Sequence, residues 1–367
     1  MSEAAASQRS SARPSRREQP CYAALDLGTN NCRLLIATPA GRGFRIVEAF
    51  SRIVRLGQGL SQTGRLDETA MQRTLAALSI CSEKIARREA SPVRAVATQA
   101  CRQAENGPAF IAEVWRHTGL ELEIITPQEE AQLSVVGCLN LIDHSTAAAL
   151  VVDVGGGSTE LSWVDLRDGA LRRHGDQLRP DRLPIRAWLS VPMGVVTLAE
   201  RFPETPPATE AWFRQMVEAM KVHLSGFRHA DHLRPIFTAG RGHLIGTSGA
   251  ITSLAGLHLG LKRYDRARVD GLWLSQGDCA AAAGRLMQLG PGARAAEPCI
   301  GPDRADLVLA GAAILQAVQE LWPCERVRVA DRGLREGILL SLMAQARQDR
   351  HATCRSVQTG LADLTHG

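Results

Sequence analysis

Short apolar runs that end at an acid and a glycine-containing turn recur along this chain. Leu150–Val152 is apolar and rich in β-branched residues, which predicts a buried strand, and Glu160–Val164 predicts a second one. Tyr22–Ala37 repeats the same order: an apolar strand, an aspartate, a polar turn with glycine and another apolar strand. Because the unit occurs twice, about one domain length apart, the pattern predicts an internal duplication.

The turn that follows Leu150–Val152 has the composition of a phosphate site. Asp153 ends the strand, where a lone carboxylate is costly to bury without a partner. The turn itself consists of Gly155, Gly156, Gly157 and Ser158. Glycines allow the backbone to approach a ligand closely, so that amides can cradle phosphate oxygens while a nearby acid holds Mg²⁺. The alternative interpretation is a hairpin with a glycine turn and no ligand.

The first copy of the unit carries equivalent groups. Asp26 ends its strand, and Gly28, Thr29 and Asn30 form its turn. Asp26 and Asp153 are therefore the candidate ligands for Mg²⁺, with Mn²⁺ as a second candidate ion. Two lobes that face each other would place both turns across one cleft. This arrangement resembles the actin, sugar-kinase and Hsp70 superfamily, so we expect an α/β fold of two ribonuclease-H-like lobes around a central cleft.

Two further segments carry groups suited to phosphate chemistry. Thr247, Ser248 and Gly249 lie between a predicted strand and a predicted helix, a place where anions bind readily. A helix predicted from about Gln128 carries Glu129 and Glu130 in its first turn. Acids at that position suit the helix dipole, which explains both residues without any catalytic role.

The length of 367 residues exceeds the size at which single cores usually divide, so two domains are expected. Residues 1–20 are rich in Ser, Ala and Arg and are predicted to be a disordered basic lead. The first lobe is predicted at 21–145 and the second at 146–332. A last helix near 333–346 is expected to pack back on the first lobe, and 347–367 to be a loose tail.

Composition limits the partners and the compartment. The net charge of +5 is compatible with an anionic substrate but does not by itself indicate nucleic acid, and we expect none. The nine cysteines are dispersed, which is typical of reduced thiols in the cytoplasm. The uncharged, mostly apolar stretch Leu307–Gln319 is too short to span a bilayer. We therefore expect a cytoplasmic protein without membrane contact, and a homodimer is compatible with the sequence.

Eight separated segments resemble the exopolyphosphatase and guanosine pentaphosphate phosphohydrolase (Ppx/GppA) family, in the order typical of that family. They are DLGTNNCRLLIA, RLGQGLSQTGRL, ATQACRQAENGPAF, EEAQLSVVG, VVDVGGGSTEL, VPMGVV, GTSGAITSLAG and RGLREGIL. The resemblance covers roughly Ala23 to Leu340. It implies a hydrolase that releases terminal phosphate from inorganic polyphosphate or from guanosine pentaphosphate, and it leaves the choice between these substrates open.

The resemblance also implies roles for single residues. The glutamate that serves the attacking water falls on Glu130, and the acids of the glycine-turn motif fall on Asp153 and Glu160. The arginine that faces phosphate oxygens falls on Arg102. Phosphoryl transfer needs positioning and neutralisation of charge more than covalent help, which agrees with Mg²⁺, carboxylates and glycine-turn amides as the working groups. The alternatives without a catalytic role are an exposed strand residue for Glu160 and a structural ion pair for Arg102.

The sequence departs from the family in two places. Thr126–Pro127 stands where the family usually has Ser–Gly, which removes one amide donor and which we interpret as a changed entry loop. We also expect a short form without the C-terminal domain, similar to HD phosphohydrolases, of the longer members. Two other functions stay open: a non-catalytic sensor of polyphosphate or alarmone with the same fold, and an ATP-dependent kinase or chaperone of the wider superfamily.

Overall fold

The structure, a computed structural model, describes residues 20–41, 43–167, 183–227 and 229–363. Most of the predicted basic lead therefore lies outside the described residues. The strands in the described part are β1 (Tyr22–Leu27), β2 (Asn31–Ala40), β3 (Gly43–Ile53), β4 (Val93–Ala97), β5 (Leu122–Ile124), β6 (Ala148–Val154), β7 (Thr159–Asp165), β8 (Ile185–Val191), β9 (Gly242–Thr247), β10 (Trp273–Ser275) and β11 (Arg326–Ala330).

Helices connect these strands and cover the faces of the sheets. They are α1 (Leu60–Thr63), α2 (Glu68–Arg87), α3 (Gln99–Gln103), α4 (Gly107–Thr118), α5 (Pro127–Cys138), α6 (Val195–Arg201), α7 (Glu210–Leu224), α8 (Ala230–Thr238), α9 (Gly249–His258), α10 (Arg266–Val269), α11 (Gln276–Gln288), α12 (Pro291–Ala296), α13 (Val308–Leu321) and α14 (Leu334–Asp363). Among the described residues, no helix combines the length and the apolar character that crossing a membrane requires.

The strands form two sheets with the same core arrangement. The first has the order β3-β2-β1-β4-β5, and the second has the order β10-β11-β9-β6-β7-β8. In the first sheet β1 is antiparallel to β2 and parallel to β4, and in the second β6 is antiparallel to β7 and parallel to β9. We call the part built on β1–β5 the first lobe and the part built on β6–β11 the second lobe. The shared arrangement confirms the predicted duplicated α/β fold.

The central strands are buried on both faces, as their continuous apolar composition requires. In β6, Leu150 and Val152 pack into the large core of the second lobe, and the alternating Ala149 and Val151 pack into a smaller cluster on the opposite face. Alternation in β1 does the same, since its residues divide between two clusters. Because each central strand packs on both faces, its end and the turn that follows have a fixed position between two layers of helices.

Helices α5 and α14 connect the lobes and cross in close contact. A Cβ on Gly337 of α14 would lie 1.9 Å from the carbonyl oxygen of Leu133 in α5. A Cβ on Gly137 would lie 2.0 Å from the carbonyl oxygen of Gly333. Helix α14 packs against β1 and β2 as well as α5, whereas α5 also contacts β6, β7 and β8. The crossing therefore fixes the position of one lobe relative to the other.

The prediction of a loose tail after residue 346 is wrong for most of that segment, because α14 continues to Asp363. The segment 347–359 contains neither Gly nor Pro, so nothing in its backbone stops a helix whose first turns are already packed. Gln345 supports the extension through a side-chain hydrogen bond from its Nε2 to Asp349 Oδ1 of 2.8 Å. The predicted lobe boundaries near residues 145 and 332 stay predictions.

We expect Gly337→Ala to lower the free energy of unfolding by about 1–3 kcal/mol, because the added methyl group overpacks the crossing of α5 and α14. The matched control is Gly284→Ala in α11, where a Cβ would meet no atom within 4 Å. That control should raise stability by up to about 1 kcal/mol through helix propensity alone. Urea denaturation of both variants measures the difference, and equal stabilities would contradict the close crossing.

Candidate active site

The first turn connects β1 to β2 and is fixed by hydrogen bonds on both sides. The amide of Gly28 donates to the carbonyl of Asn31 at 2.9 Å, which closes the turn. The carbonyl of Asn30 accepts from the amides of Val54 and Arg55, at 2.9 and 3.0 Å. The Thr29 hydroxyl donates to Gln99 Oε1 at 3.0 Å, in a buried contact. The turn is therefore anchored to the loops that follow β3 and β4.

The second turn connects β6 to β7 and lies directly against the first. A Cβ on Gly156 would lie 3.1 Å from the Cβ atoms of Thr29 and Asn30. A Cβ on Gly157 would lie 2.0 Å from Gln99 Oε1, so another residue there would displace the Gln99 side chain that Thr29 hydrogen-bonds. The glycines thus allow the second turn to lie against the first lobe. The predicted meeting of the two turns is present in the structure.

The third predicted turn lies at the beginning of α9. Ser248 caps this helix, since its hydroxyl accepts from the amide of Ile251 at 3.0 Å. The Thr247 hydroxyl donates to the carbonyl of Arg332 at 2.8 Å. With Gly249, these residues line a cleft of about 740 Å³ between the lobes. The same cleft is lined by the predicted residues Asp26, Gly28, Thr29, Asn30, Glu130, Asp153, Gly155, Gly156, Gly157 and Ser158.

Asp153 and Glu160 stand opposite each other in the β6–β7 pairing, so their side chains share one face of the sheet. Ser134 donates its hydroxyl to Asp153, and Ser190 donates to Glu160 Oε1 at 2.7 Å. Burial raises the pKa of Asp153 to about 6, with a further rise from Asp26. Burial and the charge of Asp153 raise the pKa of Glu160 to about 7. Glu160 is only 2% exposed and does not line the cleft itself.

Glu130 lies in the first turn of α5, which Thr126 caps by accepting from the amide of Glu129. Arg102 donates to Glu130 Oε2 at 3.3 and 3.4 Å and to the carbonyl of Ile125 at 2.7 Å. Burial, and then the charge of Glu160, raise the pKa of Glu130 well above its usual value, while Arg102 opposes this rise. Arg102 does not line the cleft itself, but it contacts Glu130, which does.

Asp26 completes a group of four carboxylates drawn from both lobes. Burial raises its pKa, whereas Arg33 and Arg335 lower it. Each of the other three acids is also destabilised as an anion by at least one of its neighbours. Four buried acids that repel one another, three of them lining the cleft, need cations or protons to remain together. This local excess of negative charge is the main electrostatic property of the site.

The described residues contain no group of three or more His, Cys, Asp or Glu side chains that could hold a metal ion. Mg²⁺, however, is commonly bound by one or two carboxylates together with waters and the phosphates of a substrate. Asp26 and Asp153 both line the cleft, and the charge of Asp26 raises the pKa of Asp153. The pair therefore suits a cation that binds together with phosphate. The chemistry of these donors fits Mg²⁺ or Mn²⁺ and does not fit a closed all-protein site.

Arginines that the sequence interpretation missed also line the cleft. They are Arg33, Arg52, Arg304, Arg332 and Arg335. A Cβ on Gly249 would lie 3.5 Å from Arg304 Nε and 3.8 Å from Arg33 Nη2, so guanidinium groups from the two lobes converge there. Comparison of the two duplicated units could have identified Arg33. This residue stands opposite Asp26 in the β1–β2 pairing, as Glu160 stands opposite Asp153 in the β6–β7 pairing. No local pattern distinguishes Arg304, which comes from the loop before α13.

Comparison with known proteins gives a consistent result. The chain matches the Ppx/GppA phosphatase family over residues 35–346. It is 31% identical over 334 residues to exopolyphosphatase 2 of Mycobacterium tuberculosis, covering 87% of this chain and 98% of that protein. It is 30% identical over 324 residues to guanosine-5'-triphosphate,3'-diphosphate pyrophosphatase of Aeromonas hydrophila, covering 88% of this chain and 60% of that protein. The Aquifex aeolicus member of the Ppx/GppA family has a similar structure, with a TM-score of 0.71 and 28% identity, covering 89% of this chain and 98% of that one.

The raised pKa values of Asp153 and Glu160 predict a stability that falls as pH rises. An acid whose pKa is higher in the folded state binds more protons there, so the free energy of unfolding decreases from the unfolded pKa up to the folded one. In chelator, we expect a loss on the order of 4 kcal/mol between pH 5 and pH 8, about one third of it from Asp153 and the rest from Glu160. Urea denaturation of the wild type and of Asp153→Asn/Glu160→Gln across this range measures it, and the variant should show a flatter dependence.

The control for this measurement is Asp165→Asn on the same hairpin. Hydrogen bonding to Arg167 lowers the pKa of Asp165 to about 2, so this carboxylate stays ionised over the whole range. Its replacement should leave the slope between pH 5 and pH 8 unchanged, whatever it does to stability itself. An equal slope for the wild type and the double variant would contradict the proposed burial of the two acids.

Proposed function

The chain belongs to the Ppx/GppA phosphatase family and is a hydrolase of acid anhydrides, and we propose that it releases terminal orthophosphate from inorganic polyphosphate, from guanosine pentaphosphate or from both. The observation that carries this proposal is the cleft in which glycine turns of two lobes meet and which both carboxylates and arginines line. The two relatives named above are enzymes, which favours hydrolysis over binding alone.

The phosphate chain would bind along the cleft with its terminal group near Glu130. Backbone amides of the turns and the hydroxyls of Thr247 and Ser248 offer hydrogen bonds to phosphate oxygens. Arg33 and Arg304 converge from opposite lobes and offer charge-assisted contacts to the phosphates that follow. A polyanion with phosphates spaced along its length would thus meet donors along its length, whereas a single phosphate would use only a part of them.

Glu130 is the proposed general base. Its raised pKa makes it a stronger base than an exposed carboxylate, and Arg102 keeps its oxygens oriented. The water would transfer a proton to Glu130 as its oxygen attacks the terminal phosphorus. The bridging P–O bond then breaks, and its electron pair stays on the oxygen of the shortened chain. Orthophosphate and a chain shorter by one phosphate are the products.

Asp26 and Asp153 are the proposed ligands of Mg²⁺ or Mn²⁺. When bound, the ion supplies positive charge that neutralises phosphate oxygens. The protein's own part is to hold two carboxylates from different lobes close to the same phosphates, with Ser134 fixing the orientation of Asp153. Glu160 lies behind this pair and adds negative charge, which increases the benefit of a cation at the site.

The direct test is release of orthophosphate by purified protein from polyphosphate and from guanosine pentaphosphate, side by side and without any acceptor. We expect release from at least one of the two, in the presence of Mg²⁺. A kinase would need an acceptor, and a sensor would bind either compound without releasing phosphate. Binding of both substrates with no release from either would overturn the proposal.

We expect Glu130→Gln to lower kcat by about two orders of magnitude or more, the loss typical of a missing general base. The matched control is Glu129→Gln, which removes the neighbouring acid of the same helical turn. Glu129 is paired with Arg94 and does not line the cleft, so its replacement should change kcat by less than about twofold. Steady-state kinetics of the two variants compare them, and an unchanged kcat in Glu130→Gln would remove this residue from the mechanism.

We expect activity to require a divalent cation and Asp153→Ala to raise the Mg²⁺ concentration for half-maximal activity by about tenfold or more, since one of two carboxylate ligands is lost. Titration of Mg²⁺ and Mn²⁺ into chelator-treated enzyme measures this concentration. Asp165→Asn, at the far end of the same hairpin, should leave it unchanged. Full activity in excess chelator would contradict the proposed role of the metal.

A further inference from the structure

A forked ion pair crosses from the first lobe to the second at the rim of the cleft. Arg55 follows β3, and its Nη1 and Nη2 donate to the two carboxylate oxygens of Asp306 at 2.8 and 3.2 Å. Nη2 also donates to the carbonyl oxygen of Asp303 at 3.3 Å. A guanidinium that engages both oxygens of a carboxylate fixes direction as well as distance. Three contacts from one side chain therefore hold a loop of the opposite lobe.

The backbone of Arg55 is tied to the first glycine turn. Its amide donates to the carbonyl of Asn30 at 3.0 Å. Its φ of 48° lies in the left-handed region, which is unfavourable for a residue with a Cβ. Such a conformation persists only where the surrounding structure fixes it. Arg55 thus connects the turn of one lobe to the loop of the other.

The loop that Arg55 contacts carries Arg304. Asp303 precedes Arg304 and Asp306 follows it by two positions, so the contacts of Arg55 flank this arginine on both sides. Within the second lobe, the fully buried Arg294 donates to the carbonyl of Ala305 at 3.2 Å. The loop is therefore held from within its own lobe and from across the cleft, with the guanidinium of Arg304 directed to the cleft between them.

We propose that Arg55 is a positioning residue that keeps Arg304 opposite Arg33, so that both guanidinium groups meet one phosphate chain. This inference rests on the proposed function, because it assigns to Arg304 a contact with the substrate. Arg55 does not line the cleft, and its ion pair with Asp306 is partly exposed, at 33% and 51% of the side chains. Such pairs contribute little to global stability. Its loss should therefore displace the loop without unfolding the protein.

A second contact between the lobes serves as a comparison. Glu200 of α6 accepts from the amide of Gly59 at 3.0 Å and from the Ser61 hydroxyl at 2.8 Å. It bridges the same two lobes but does not contact the loop of Arg304. Replacement of Glu200 therefore weakens the association of the lobes in general, whereas replacement of Arg55 also releases Arg304.

The kinetic test combines Arg55→Ala with Arg304→Ala. Alone, Arg55→Ala should raise KM for the phosphate-chain substrate roughly fivefold, with kcat changed less than twofold, the size expected for one partly exposed ion pair. In the Arg304→Ala background it should change KM by less than about 1.5-fold, because the group that it positions is absent. Arg55→Lys retains the charge without the fork and should recover only part of the wild-type KM.

Two outcomes of these kinetics would overturn the proposal. The first is an effect of Arg55→Ala that is equal in the wild-type and Arg304→Ala backgrounds. The second is an equal rise of KM in Glu200→Ala, since lobe association rather than the position of Arg304 would then explain the result. Arg65→Ala, which removes an exposed ion pair with Glu105 inside the first lobe, controls for a simple loss of surface charge.

Hydrogen exchange gives a measurement that does not depend on activity. Amides of residues 301–307 should exchange faster in Arg55→Ala than in the wild type, and at the wild-type rate in Glu200→Ala and Arg65→Ala. Faster exchange in a protein that hydrolyses neither substrate would mean that the proposed function is wrong while Arg55 still positions the loop. Unchanged exchange in Arg55→Ala would overturn the inference, whatever the enzyme hydrolyses.

Discussion

The structure depends on one steric constraint, the close contact of the β6–β7 turn with the first lobe. A Cβ on Gly157 would lie 2.0 Å from Gln99 Oε1, and a Cβ on Gly156 would lie 3.1 Å from the amide nitrogen of Asn30. The second turn reaches this distance because its glycines carry no side chain toward the first lobe. A second pair of glycine contacts, at Gly137 and Gly337, lies at the crossing of α5 and α14. Both sets of contacts hold the two lobes close to each other on either side of the cleft's lining residues.

Within the cleft, acids and guanidinium groups lie close together. Burial raises the pKa values of the four carboxylates, whereas Arg33 and Arg335 lower that of Asp26. Arg33 and Arg304 also approach each other near Gly249. The duplicated β-hairpins explain part of this arrangement, because the position opposite the strand-ending aspartate is Arg33 in one lobe and Glu160 in the other. The same hairpin arrangement thus presents an arginine in the first lobe and a glutamate in the second.

The sequence was sufficient to predict what local patterns encode. Two strand–Asp–Gly units gave the duplicated fold, and the glycine-turn motif pointed to Asp153 and Glu160, which stand opposite each other on one face of the sheet. It was not sufficient for groups that only the tertiary fold brings in, such as Arg304 and the partner of Arg55. The extension of α14 beyond residue 346 was missed for a different reason, because helical continuation depends on the packed turns before it.

Helix α5 has one side in each lobe. Its Leu133 packs with α14 in the cluster on β1, its Val135 packs with the cluster on β6, and Ser134 between them donates to Asp153. Glu130, one turn earlier in the same helix, accepts from Arg102 of the first lobe. One helix therefore joins an arginine of the first lobe to an aspartate of the second, and any displacement of α5 would change both contacts together.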